Sequence, residues 1–158
     1  MDQQPRRVWG RIETEDPPHG IYDYAALRAM AERLLATREK RFPLLVAAGK
    51  LDAAEAQAEL TTFRMIAQDW RWISTGEGQP APIGSLDHRR AALDRSLATI
   101  ADIAREEGRF SDELAAQADA VIAIRWHLEP GSRTHALAQL THQIRADLGA
   151  KQEATNAV

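Results

Sequence analysis

The sequence predicts an all-α fold of about five helices, and three observations carry that prediction. Apolar residues recur at spacings of three and four along five segments, the period of an amphipathic helix. Glycine and proline fall between those segments and not inside most of them. Each segment opens on or near an Asp, Ser or Thr of the type that caps a helix N-terminus.

The first helix is expected from Tyr22 or Asp23, with Tyr24, Leu27, Ala31 and Leu34 on one face. Pro43 removes a backbone donor and predicts a kink or restart, after which Leu44, Leu45 and Ala48 continue the face up to Gly49. Asp52, with Glu55 three residues on, opens the second helix, whose stripe is Ala56, Leu60, Phe63, Ala67 and Trp70. Residues 74–84, STGEGQPAPIG, read as a linker. Leu86, Leu93, Leu97, Ile100 and Ala104 mark a third helix that ends at Gly108. Ser111 caps a fourth, lined by Leu114, Ala118, Val121 and Leu128 and stopped by Pro130 and Gly131. Ser132 or Thr134 opens a fifth, with Leu137, Leu140, Ile144 and Leu148 expected to face inward.

These elements give a single helical domain over residues 21–148, made of a hairpin (21–73), the linker (74–84), a second hairpin (85–129) and a C-terminal helix (132–148). Residues 1–20, with Pro5, Gly10, Pro17, Pro18 and Gly20, read as an extended N-terminal arm, and residues 149–158 as a frayed tail. The two hairpin turns echo each other 59 residues apart: Gly49-Lys50-Leu51-Asp52 and Gly108-Arg109-Phe110-Ser111 both run glycine, basic, apolar, cap. Two copies of one hairpin would make an antiparallel helical-hairpin bundle by internal duplication. The alternative is the common chemistry of a tight helix–helix turn.

Composition narrows the function classes. The 158 residues hold no cysteine, which excludes disulfides, thiolate metal sites and a cysteine nucleophile, and suits a reducing compartment. The net charge is −3, and residues 1–79 (11 basic, 12 acidic) and 80–158 (9 basic, 11 acidic) are balanced, so no polybasic face for nucleic acid or anionic lipid is expected. No apolar run is longer than that of Leu44 to Ala48, far short of the ~20 residues a membrane span needs. The first residues lack the apolar core of a secretory signal, so a cytoplasmic location is expected.

Four constellations are candidates for chemistry. Residues 99–108, TIADIAREEG, resemble the first helix and turn of helix-turn-helix DNA-binding proteins of the lac-repressor type, with Ala104 at the packing position and Gly108 at the turn. The resemblance implies DNA binding through residues 99–125, with Ser111 capping a recognition helix and Arg105 and Arg109 beside the phosphates. That helix begins Ser-Asp-Glu and has no basic residue before Arg125, a charge pattern that opposes the phosphate field. His127 and His135, with Glu129 nearby, suggest a bundle that holds a metal or small ligand. His142, however, lies about 10 Å along the axis from His135, too far to share one ion. Solvated or capping histidines are the simpler expectation. The basic residues Arg38, Lys40 and Arg41 with Arg89, Arg90 and Arg95 are interleaved with acids and read as a solvated face. Finally, Trp9, Trp72 and Trp126 fall away from the main apolar stripes and are candidate partner contacts.

No catalytic motif is present, and no catalytic residue, metal or cofactor is assigned. The expectation is a non-enzymatic protein–protein interaction or accessory module acting as a homodimer or with another protein. DNA binding and ligand holding are its alternatives.

Overall fold

The computed structural model describes residues 4–157. The chain runs through a β-hairpin, four helices arranged as two helical hairpins, and a fifth helix. Residues 1–3 of the expected arm and Val158 of the expected tail lie outside the described residues. Among the described residues no helix is long and apolar enough to cross a membrane.

The N-terminal arm folds on itself. Strands β1 (Arg6–Trp9) and β2 (Ile12–Glu15) pair antiparallel, with Trp9 opposite Ile12 and Arg6 opposite Glu15. The two-residue turn needs positive φ at its first position, and Gly10 supplies it at 64°. Alternation turns Trp9, Ile12 and Thr14 inward, and the Trp9 indole N–H donates to Thr14 Oγ1 at 3.1 Å. Strands of four residues with so much charge carry little periodic signal, which is why the arm reads only as extended from its sequence.

Helix α1 (Tyr24–Ala47) starts behind Asp23, whose carboxylate accepts the Ala26 N–H, and its helical run includes Pro43. Helix α2 (Ala53–Thr75) starts behind Asp52, which accepts from the N–H groups of Ala54 and Glu55. Helix α3 (Leu86–Glu107) follows a 3-10 turn at Ile83–Ser85, and α4 (Asp112–Trp126) is capped by Ser111. The echo between the hairpin turns is physical. Gly49 and Gly108 are both left-handed (φ 70° and 76°), and the next residue donates back to the same position in each, Lys50 to Leu45 and Arg109 to Ala104. Both are Schellman turns, so turn chemistry by itself accounts for the likeness.

α1 packs along α2, α3 along α4, α4 against α1 and α2 against α3. Phe63, Ile66 and Trp70 of α2 meet Leu93 and Leu97 of α3, Val121, Ile122 and Ile124 of α4, and Leu27, Ala31 and Leu34 of α1 in one core. α4 is the central element: Val121 to Ile124 are four consecutive fully buried residues, possible only where neighbours cover a helix on all sides.

Helix α5 (Thr134–Asn156) departs from expectation twice. It continues well past Leu148, through Ala150, Lys151, Gln152, Glu153 and Ala154, all strong helix formers. It is also rotated: Leu137, Leu140, Ile144 and Leu148 point to solvent at 56, 57, 49 and 62% exposure, while Thr134 and Ala138 are buried. The inward leucine face predicted for α5 is therefore corrected to an outward one.

This contrast is measurable in urea unfolding. Ile122→Ala removes fully buried methylenes and is expected to cost about 2–5 kcal/mol, whereas Leu140→Ala is expected to change stability by less than about 0.5 kcal/mol. A large loss at Leu140 in dilute monomeric protein would mean that α5 is turned the other way.

Candidate interaction surface

The rotation of α5 has its cause in a polar ledge at the C-terminal end of α2. Asp69 sits on the buried face of α2 at 1% exposure and needs donors on every side. The linker supplies one, the Ala81 N–H at 2.9 Å from Oδ1. α3 supplies another, Arg89, whose guanidinium lies 3.3 Å from Oδ2 and is itself buried and held by Ser85 Oγ at 2.9 Å. Burial lowers the pKa of Arg89 while Asp69 works against that shift, and the guanidinium remains a cation. α5 supplies the third donor: His135 Nε2 reaches both Asp69 oxygens, at 2.8 and 3.0 Å.

Two more histidines complete the docking of α5. His142, two turns further on, donates through Nε2 to the Trp72 carbonyl at 2.7 Å. Its ring lies over Gly76, where a Cβ would come within 3.1 Å of Nδ1 and φ is 79°, so glycine is required there on two grounds. The Trp72 indole is held between the two histidines, stacked on His135 (6.2 Å, 13°) and edge-on to His142 (5.1 Å, 78°). At the start of α5, Thr134 Oγ1 lies 2.5 Å from Nδ1 of His127, and the N-cap residue Arg133 makes no side-chain cap.

His127 links three parts of the chain. Its Nε2 faces the Ile21 carbonyl, which can only accept, so Nε2 carries the proton and Nδ1 accepts from the Thr134 hydroxyl. Its ring is enclosed edge-on by Trp126 (4.9 Å), Trp70 (5.0 Å) and Tyr24 (5.7 Å). Burial lowers its pKa below the ordinary imidazole value; the bond to Ile21 opposes that shift and the charge of His135 adds to it. At neutral pH both the lowered pKa and the two hydrogen bonds favour a neutral His127.

The histidine face and the leucine stripe of α5 lie about a third of a turn apart at 3.6 residues per turn. Satisfying the ledge therefore turns the stripe outward. His142 is the last residue of α5 that is not exposed, and every residue from 143 to 157 is exposed. The second half of α5 is a projecting helix with an apolar stripe.

The sequence candidates fall as follows. Trp9 and Trp72 are buried and Trp126 is half-buried against the core, so all three indoles are packed within the chain. His127, Glu129 and His135 do line one open cavity of about 430 Å³. Most of their donor atoms are already bonded, and His135 Nε2 is held by Asp69. Both nitrogens of His127 are bonded, and Glu129 Oε1 takes Arg7 at 2.7 Å and Arg125 at 3.1 Å. Burial tends to raise the pKa of Glu129, but Arg7 and Arg125 outweigh it and hold the carboxyl below its usual value. Among the described residues no group of three His, Asp or Glu side chains is placed to hold a metal ion. Arg105 and Arg109 are exposed, and Arg105 sits 3.5 Å from Asp102. Ser111 is the cap of α4, a helix buried among its neighbours whose exposed side carries Asp112, Glu113 and Asp119. The leucine stripe is the surface that sequence reasoning misplaced. The signal present was the helical spacing of His135 and His142 with Ala138, a competing face that hydrophobicity alone does not rank.

Two measurements test the ledge. Asp69→Ala strands a buried Arg89 and is expected to lower unfolding free energy by about 3–5 kcal/mol. A loss under about 1 kcal/mol would show that the ledge contributes little. For His127, the folded pKa lies below the unfolded value of about 6.5, so the unfolded chain binds the proton first. Its contribution is complete above that pH and is lost as pH falls through the lowered folded value. Urea midpoints measured from pH 8 down to 5 should decline in that window, and His127→Gln should flatten the decline.

Comparison with known proteins adds no relative: no family model, no curated protein and no solved structure matches this chain.

Proposed function

We propose that this chain is a non-enzymatic protein-interaction module that works as a homodimer, with the outer face of α5 as its docking surface. One observation carries the reading: Leu137, Leu140, Ile144 and Leu148 form a continuous exposed stripe on a helix that projects beyond the body. Scattered exposed leucines are ordinary, but a run of them on one helix face is the mark of a helix that pairs. Covering the exposed half of each such side chain contributes on the order of 1 kcal/mol. The polar groups of the ledge support the same reading, because their hydrogen bonds hold α5 with its leucine stripe turned outward. A cytoplasmic setting belongs to this proposal and draws on the absence of cysteine.

Sedimentation velocity over a range of concentrations tests it. The protein should run as a dimer at micromolar concentration. Leu140→Glu with Leu148→Glu should weaken the dimer at least about 100-fold, because each change removes apolar cover and sets a carboxylate in its place. Circular dichroism and the melting curve of the dilute monomer should stay unchanged. A wild-type protein that stays monomeric up to ~100 μM, well above the micromolar range for which the dimer is proposed, sinks the reading.

A further inference from the structure

The spacing of the α5 stripe constrains how a partner can lie on it. Leu140 and Leu148 sit four residues to either side of Ile144. At a rise of 1.5 Å per residue they lie about 6 Å above and below it on the same face. A two-fold axis through Ile144, perpendicular to the helix, maps this stripe onto itself. Ile144 then meets the partner's Ile144, and Leu140 meets the partner's Leu148. An isologous pairing of two identical chains requires such self-complementarity, whereas an unrelated partner does not.

Charge selects between the two ways of aligning identical helices. Beyond Leu148 the same face carries Lys151, with Asp147 at its edge. A parallel pairing sets Lys151 against the partner's Lys151 and Asp147 near the partner's Asp147, like charges facing each other at short range. The antiparallel pairing separates them. Lys151 falls beside the partner's Leu137, where its methylene stem covers the leucine and its ammonium stays in water. Asp147 falls beside the partner's Thr141, a hydroxyl donor. The same arrangement lays residues 149–156, uncovered within one chain, alongside the partner's residues 132–139, the segment anchored on the ledge. Every residue of α5 after His142 is exposed in one chain, and this pairing covers part of that half with the second copy.

We infer that the occupant of the α5 face is α5 of a second copy, antiparallel, with the two-fold axis at Ile144. This rests on the dimer reading above and adds its geometry.

The chain has no native cysteine, so single cysteines can be placed without background. Helix axes 8–10 Å apart leave facing Cα atoms about 3.5–5.5 Å apart at the two-fold, and the wider part of that range suits a disulfide. Four single variants, Leu140→Cys, Ile144→Cys, Leu148→Cys and Ala146→Cys on the far side of α5 as a collision control, are oxidised mildly beside the double variant Leu140→Cys/Leu148→Cys. Sedimentation of the reduced proteins runs in parallel. The expected result is rapid covalent dimer from Ile144→Cys and from the double variant. Leu140→Cys and Leu148→Cys alone should do no better than the control, because their like positions lie about 12 Å apart along the pair. Rapid cross-linking by all three stripe variants would mean a parallel pair and overturn the inference while leaving the dimer reading in place. A reduced protein that is dimeric but cross-links at none of the stripe positions overturns the α5 interface. A reduced protein that is monomeric throughout overturns the dimer reading and this inference with it.

Discussion

The buried carboxylate of Asp69 is the constraint on which the rest of the arrangement depends. An ion on the inner face of α2 is tolerable only if its oxygens are filled by donors, and the donors come from three different parts of the chain: a linker N–H at Ala81, the Arg89 guanidinium of α3 and the His135 imidazole of α5. Hydrophobic burial alone would leave the linker and α5 free to slide. Directional bonds to one buried atom pair fix where the linker crosses the end of α2 and which face of α5 is turned inward. No buried side-chain nitrogen or oxygen among the described residues lacks a partner, so this polar centre is closed and not half-built.

The helical hairpins were legible from the sequence because their signals agree with one another. At α2 and α4 the cap residue, the apolar period and the following terminator all mark the same element: Asp52 then the stripe to Trp70, and Ser111 then the run to Ile124. Local propensity and global packing point the same way, which is the condition under which sequence reasoning works. The β-hairpin was not legible as a hairpin, because its pairing depends on Trp9 having a core to enter, and nothing within ten residues announces that core. α5 was misread for a different reason. It carries two faces of comparable width, one of leucines and isoleucine, the other of Thr134, His135, Ala138 and His142. Hydrophobic periodicity ranks the first as the buried one. What reverses the ranking is the demand of Asp69 and the Trp72 carbonyl, about 66 to 70 residues away in sequence, which no local pattern contains.

The tryptophans show the same lesson at smaller scale. Trp72, two positions from Trp70, points away from the α2 stripe, and a side chain off the stripe is a reasonable candidate for a partner. In the folded chain that partner is internal: the rings of His135 and His142 enclose the indole. The residue that departs from the pattern marks a contact, and the contact seen in the folded chain is with α5.

A helix that docks through histidines and shows leucines to solvent is an inversion of the usual economy, and its consequence lies in the projecting half. Residues 143–156 are all exposed, and a segment of that length on its own is marginally helical in water. It is carried as helix by continuity with the anchored first turns and by the good helix formers at 150–154. Covering its stripe would add what propensity lacks. Order in the projecting half and occupation of the stripe are therefore coupled, and each strengthens the other. The ledge at Asp69 sets the rotation on which both depend, so a change in the α2 core would be felt at a surface some turns of helix away without any contact between the two.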